Sequence, residues 1–249
     1  MTGNVLISGA SSGIGRATAV RFAREGWQVG LLARREALLQ ELLNELPPGD
    51  HFSCAGNYAE AAVIQRLEEQ IRQRWGKLDA LVNCAGVFQT VDVIADPLEE
   101  WRESFDTMVN GALHLSRLAA HSMTNGGRII HITSIHGERA ERGASAYSMA
   151  KAAINQLCRA LALELAGRGI LVNAIAPGFV DTPMSVVNGV NELESEWFRR
   201  NYIEGHHLPL RRAGRPEEIA GVAFFLAGPD ATYLTGQVIT VDGGLTITF

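Results

Sequence analysis

Tyr147 and Lys151 stand four residues apart in Ser145-Ala-Tyr-Ser-Met-Ala-Lys151, and Ser134 lies thirteen positions before the tyrosine. On a helix, positions i and i+4 share a face, so phenol and ammonium can point into one pocket. A nearby cation favours the phenolate over the phenol and lowers a pKa that is otherwise about 10. That pairing gives a group able to donate and accept a proton near neutral pH. Lys77 and Lys151 are the only lysines beside four tyrosines, and chance puts one Tyr-x-x-x-Lys in roughly 3% of such chains. An exposed helical contact is the plain alternative. The chemical reading requires a cofactor and a carbonyl for the pair to act on.

The elements that must position the pair follow from hydrophobic patterning. Short apolar runs read as strands at Val5–Ser8, Gln28–Ala33, Phe52–Cys54, Ala80–Asn83, Arg128–Thr133, Leu171–Ala176 and Val238–Val241. Amphipathic runs between them read as helices at Ile14–Glu25, Glu36–Leu46, Ala61–Trp75, Met108–Met123, Ala146–Ala166 and Pro216–Leu226. Such alternation implies an α/β fold: a doubly wound parallel sheet of about seven strands with helices on both faces. No repeat, low-complexity tract or Pro/Gly-rich linker interrupts the chain, so residues 1–249 read as one dinucleotide-binding and catalytic domain. Only Asp181–Leu208 breaks the rhythm. It is long, lacks a strand signal, carries Trp197, Phe198 and Tyr202 among charges and ends on His206-His207. It reads as a substrate lid.

The first strand runs into Ser8-Gly9-Ala-Ser-Ser-Gly13-Ile-Gly15 and then straight into a helix. Glycines there allow a tight turn, close approach to a pyrophosphate and close helix–strand packing, with the helix N-terminus facing the phosphates. The spacing is Gly-x-x-x-Gly-x-Gly; its place at the first β–α junction favours a cofactor site over an ordinary turn. The second strand ends Leu32-Ala33-Arg34-Arg35 with no acid before Glu36. An acid would accept from ribose hydroxyls, whereas two guanidiniums would pair with a 2′-phosphate, so the expected cofactor is NADP(H) rather than NAD(H).

Composition excludes several classes. The net charge of −5 gives no global attraction for nucleic acid. No stretch has the apolar length of a membrane span, and Met-Thr-Gly-Asn-Val is not a secretory start. Cys54, Cys84 and Cys158 fit neither a disulfide framework nor a metal site. A cytoplasmic protein is expected, with no metal, nucleic-acid or membrane partner.

Taken together these residues resemble the short-chain dehydrogenase/reductase family, in its shorter single-domain branch. The matching positions span essentially the whole chain: Gly9/Gly13/Gly15, Asn83-Cys-Ala-Gly86, Asn110, Ser134, Tyr147 with Lys151, Pro177-Gly178 with Thr182, and the ending Tyr-Leu-Thr-Gly236 to Gly244. The resemblance implies that Tyr147 is the acid that protonates the developing alkoxide, or the base in the reverse direction. Lys151 would lower its pKa and bond the nicotinamide ribose; Ser134 would donate to the substrate oxygen. Asn110 would hold a water linking Lys151 to solvent. It also implies a cofactor set of Gly9, Ser11, Ser12, Gly13, Ile14, Gly15, Arg34, Arg35, Asn57, Asn83, Ala85 and Gly86, joined by Tyr147, Lys151, Pro177, Gly178, Val180 and Thr182.

Three departures bear on this. Ser8 replaces a threonine but keeps the hydroxyl; Cys84 replaces an asparagine, leaving Asn83 to link strands; Asn57 stands where an aspartate is common. His136, two residues after Ser134, is a candidate substrate contact in the loop Ser-Ile-His-Gly-Glu-Arg-Ala-Glu-Arg142. The expected activity is hydride transfer between nicotinamide and a ketone or secondary alcohol. A 3-oxoacyl-thioester reductase is the near rival and a non-catalytic nucleotide sensor the distant one. Family members pair their two long helices, so a homotetramer is expected, with the apolar residues Leu245, Ile247 and Phe249 buried at a contact.

Overall fold

The structure, a computed structural model, describes residues 2–124, 126–187 and 189–248. Phe249 lies outside the described residues. Strands β1 (Asn4–Ser8), β2 (Gln28–Ala33), β3 (Phe52–Ala55), β4 (Ala80–Asn83), β5 (Gly127–Ile132), β6 (Ile170–Pro177) and a last strand, Val238–Val241, form a seven-stranded parallel sheet. Its order is β3-β2-β1-β4-β5-β6 followed by Val238–Val241. Helices α1 (Gly13–Arg24), α2 (Glu36–Glu45), α3 (Ala61–Arg74), α4 (Leu98–Phe105), α5 (Gly111–Ser122) and α6 (Ser145–Leu165) connect these strands.

Alternation along each strand divides the core in two. Val5, Ile7, Val29 and Leu31 pack with Ala19 and Phe22 of α1, Leu39 and Leu42 of α2, and Ile219 and Ala223 of the late helix Pro216–Ala227. Leu6, Leu32, Leu81 and Ile129 face the other way, against Leu67 and Ile71 of α3, Leu115 of α5 and Cys158 of α6. Phe22 is fully buried, with ring centroids 5.2 Å from both Trp27 and Phe224. Burying one such side chain stabilises by about 1.5–3 kcal/mol. Chain order reverses between β1 and β4, which opens a crevice beyond their carboxyl ends.

Two expectations are corrected. The helix read as starting at Met108 belongs to a run that starts at Leu98, after Pro97, with Glu99 and Glu100 favouring its N-terminus. The run passes through a wide π turn at Asp106–Asn110 before α5. The segment 181–208 does hold strands: β7 (Val186–Val187) pairs antiparallel with β8 (Val190–Asn191), turning at Gly189, whose φ is 79°. A short helix, α7 (Glu196–Phe198), then leads into a second π turn at Arg199–Glu204. Strands of two residues are too short to show a period of two. The late helix is α8 (Pro216–Ala227) and the last strand β9 (Val238–Val241).

Candidate active site

The glycine turn builds the first half of the site. Gly9 and Gly13 adopt φ of 66° and 54°, which side chains resist. A Cβ on Gly15 would stand 2.3 Å from the Gly9 carbonyl oxygen, and one on Gly9 would stand 2.9 Å from the Ala85 nitrogen. The turn is thus as close to the neighbouring backbone as chemistry allows. The first turn of α1 carries no acidic residue to compete with an anion.

A cavity of about 340 Å³ opens over this turn. Its wall includes Gly9, Ser11, Ser12, Gly13, Ile14 and Gly15 on one side. Arg34, Arg35, Asn57, Ala85, Gly86 and Thr182 complete the part expected from sequence. Arg35 donates from Nε and Nη2 to Ser11 Oγ at 3.2 and 2.8 Å, and from Nη2 to Ser12 Oγ at 2.7 Å. The Asn57 side-chain oxygen accepts from the Ala59 amide at 3.1 Å, closing its own turn. Asn83 reaches neither cavity described in this section. It lies buried beneath, accepting a hydrogen bond from Ser8, whose oxygen in turn accepts from the Ala85 amide at 3.2 Å. Ser8 and Asn83 therefore tie β1 to β4 and aim the backbone that follows. A site built of close-approach glycines, a bare helix N-terminus and two guanidiniums fits a dinucleotide. When bound, such a cofactor supplies or takes the hydride.

A second cavity, of about 400 Å³, shares Ile14, Cys84, Gly86, Thr182 and Met184 with the first. Ser134, Tyr147 and Lys151 line it, as do Pro177, Gly178 and Val180. Ser134 ends β5's extension and caps the turn Ile135–Gly137, accepting from the His136 amide at 3.1 Å. Tyr147 sits in the first turn of α6, with the Ser134 side chain close enough to its hydroxyl to pull the phenol's pKa down. Lys151 is buried, 5.4 Å from the centre of the Tyr147 ring, and donates to the Ile132 carbonyl oxygen at 3.0 Å.

Burial dominates the electrostatics. The Tyr147 phenol is pushed up to about 12 by desolvation, with Ser134's hydrogen bond pulling the other way. Lys151 is pushed down to about 8, again by burial. The expected lowering of the tyrosine pKa by the lysine is absent in the protein alone: losing water outweighs a cation whose hydrogen bond goes to Ile132. Buried His131, beside Asn83 in the β4–β5 ladder, is driven down to about 4 and is neutral.

Asn110 is not brought to this centre. Its side chain is exposed and donates to Asp106 Oδ1 at 2.7 Å. The inward stripe of the helix is Met108, Ala112, Leu115 and Ala119, and residues two apart on a helix do not share a face. Met108 packs against Tyr147, Ala150 and Ile154, in the place expected of an amide. Sequence reading also missed Glu141, which pairs with His136 Nε2 at 3.2 Å, and Phe88 and Phe179, which join the expected lid residues Trp197 and Phe198 in an aromatic wall. The aromatic content of the loop was a signal; the His136–Glu141 pairing had none.

With this geometry in hand, comparison with known proteins is decisive. A family model described as Enoyl-(Acyl carrier protein) reductase matches residues 9–246. The chain belongs to the short-chain dehydrogenase/reductase family. Within that family it is similar to the 3-oxoacyl-(acyl-carrier-protein) reductase FabG of Thermotoga maritima, at 35% identity over 97% of each chain. It is 38% identical to glucose 1-dehydrogenase of Gluconobacter oxydans, over 98% of this chain and 91% of that one. The structure of L-sorbose reductase from Gluconobacter frateurii, complexed with NADPH and L-sorbose, superposes with a TM-score of 0.89 at 31% identity, covering 100% and 98% of the two chains. As a short-chain dehydrogenase/reductase the protein is an NAD(P)-dependent oxidoreductase.

Proposed function

We propose that the protein transfers hydride between NADP(H) and a ketone or secondary alcohol, with Tyr147 exchanging the proton. The observation that carries this is the meeting of Ser134, Tyr147 and Lys151 where the two cavities share walls. In reduction, Ser134 and Tyr147 donate to the carbonyl oxygen, and Tyr147 releases its proton to the alkoxide as it forms. Lys151, charged below about pH 8, stabilises the phenolate left behind. Burial of both groups excludes water, which strengthens each interaction. Residues 1–249 act as one domain, with 181–208 covering the substrate.

NADP(H) is favoured over NAD(H) by Arg34 and Arg35 on the cavity wall, Arg35 being held at Ser11 and Ser12. The cofactor contacts are those expected from sequence, with Asn83 acting from beneath through Ser8. A 3-oxoacyl-thioester reductase is the second reading, favoured by likeness to the FabG relative. A cytoplasmic homotetramer fits the exposed Leu113 and Met149 on the two long helices and Ile247 near the end; among the described residues no helix is long and apolar enough to cross a membrane.

The decisive test is Tyr147→Phe with NADPH and a ketone panel. Turnover is expected to fall by about 10³-fold or more, since the proton source is gone, while NADPH still quenches intrinsic fluorescence. Retained turnover would sink the mechanism.

A further inference from the structure

Each reduction takes a proton from Tyr147, and water must replace it before the next. We propose that Met108 seals the helix side of the Tyr147–Lys151 pair, so that the reacting proton enters and leaves only through the mouth of the second cavity, and the pair cannot change its protonation while substrate and cofactor fill the site. The proposal rests on the hydride-transfer reading above and adds the route of its proton.

The helix side comes first. Met108 is 1% exposed and packs with Ala112, Tyr147, Ala150 and Ile154. A Cβ built on Gly86 would have Lys151 Nζ at 3.4 Å and Met108 Sδ at 3.8 Å, so ammonium and thioether border one small space. A thioether has no hydrogen to give and is a weak acceptor, so it passes no proton on. Beyond it, the outer face of the π turn carries Asp106 and Asn110, both exposed and bonded to each other. The way out through this helix stops one side chain short of water.

The sheet side is closed as well. Lys151 Nζ donates to the Ile132 carbonyl oxygen at 3.0 Å, and a carbonyl has no proton to relay. Facing the ammonium from the end of β4, from β5 and from α6 are the titratable groups Cys84, His131 and Tyr147. Burial pushes the Cys84 thiol up to about 12 and the His131 imidazole down to about 4, so each keeps one protonation state near neutral pH. His131 is fully buried and leads only to Asn83 and Ser8, which are buried too. The remaining direction is the second cavity, which Ser134, Tyr147 and Lys151 line and which opens between exposed Phe88, Glu192 and Trp197. In reduction the Tyr147 O–H bond breaks as a new O–H bond forms on the former carbonyl oxygen. The alcohol then blocks the path to water, and the phenolate takes a proton from water once the alcohol has left.

The experiment records kcat and kcat/KM for NADPH against pH, with the ketone of the panel above that turns over fastest, in the wild type, Met108→Gln and Met108→Leu. The quotient reports ionisations of the free enzyme and kcat those of the filled one, where a sealed pair does not titrate. In the wild type kcat/KM is expected to fall above the Lys151 pKa of about 8, while kcat stays within about twofold up to about pH 10. Met108→Gln keeps the length of the side chain but adds an amide that both donates and accepts, so its kcat should gain a decline of about tenfold per pH unit. Met108→Leu stays apolar and should keep the level profile. A wild-type kcat that falls in step with kcat/KM overturns the proposal, and needs no variant to fold. So does a Met108→Gln enzyme whose kcat is lowered equally at every pH, the mark of a purely structural role. Activity surviving in Tyr147→Phe, or a wild type inert towards the whole panel, overturns the hydride-transfer reading itself.

Discussion

Around the glycine turn the cavity wall is main chain, and around Tyr147 it is side chain. At Gly15 an added methyl would meet a carbonyl oxygen at 2.3 Å, so at the turn itself the surface is set by backbone, with Arg34, Arg35 and Thr182 adding side chains around it. In the second cavity the walls are Phe88, His136, Phe179 and Trp197, drawn from separate loops and the covering segment. Phe179, Phe198 and Tyr202 stack within 5.2 Å of one another, so that segment is tied to the sheet by rings rather than by ladder bonds. A backbone-built surface is common to every ligand with the same phosphates. A side-chain-built one can be changed residue by residue without disturbing the sheet.

That contrast can be broken most forcefully at Gly15. Gly15→Ala must push the turn off Gly9; overpacking costs about 1–3 kcal/mol, so NADPH affinity is expected to fall by up to about a hundredfold. Titration by fluorescence checks it, and unchanged binding would mean the turn is not the phosphate site. Arg35→Ala is the next largest. Loss of a charge-assisted contact should cut the preference for NADPH over NADH by about tenfold or more, leaving NADH kinetics little altered. An unaltered ratio would remove the phosphate argument.

On the other side of the boundary, kcat/KM for NADPH in the reduction direction should decline above the Lys151 pKa of about 8, by about tenfold per pH unit. The sign follows because reduction uses the charged lysine, which is lost as pH rises. A flat profile to pH 10 would place the essential charge elsewhere. Trp197→Ala has the smallest expected effect: KM for the carbonyl substrate up about threefold with kcat held. Were NADPH binding to weaken instead, the two regions would not be separable.

How much of this was legible depended on the range of the cause. The glycine turn, Arg34 and Arg35 could be read because their requirements are local: a tight turn and a charge at a strand end. Tyr147, Lys151 and Ser134 were found through spacing. Asn110 misled because the π turn at Asp106–Asn110 inserts an extra residue into the helical frame, and Met108 takes the inward position. Nothing in the residues of that turn announces it. The tyrosine pKa was misjudged because pairing is visible in sequence whereas desolvation is a property of the packed whole. The β7–β8 hairpin and the His136–Glu141 contact depend on loop geometry, which has no period to detect.

The buried ammonium of Lys151 also has a bearing on folding. Its folded pKa of about 8 lies below the 10.5 of a free lysine, so between those values the unfolded chain holds more protons than the native one. Below pH 8 the fold carries the full penalty of enclosing that charge; the penalty is relieved as pH climbs from 8 toward 10.5. A nucleotide whose oxygens accept from the ammonium would lift the same penalty at neutral pH. Thermal stability and catalytic readiness are therefore coupled through one proton.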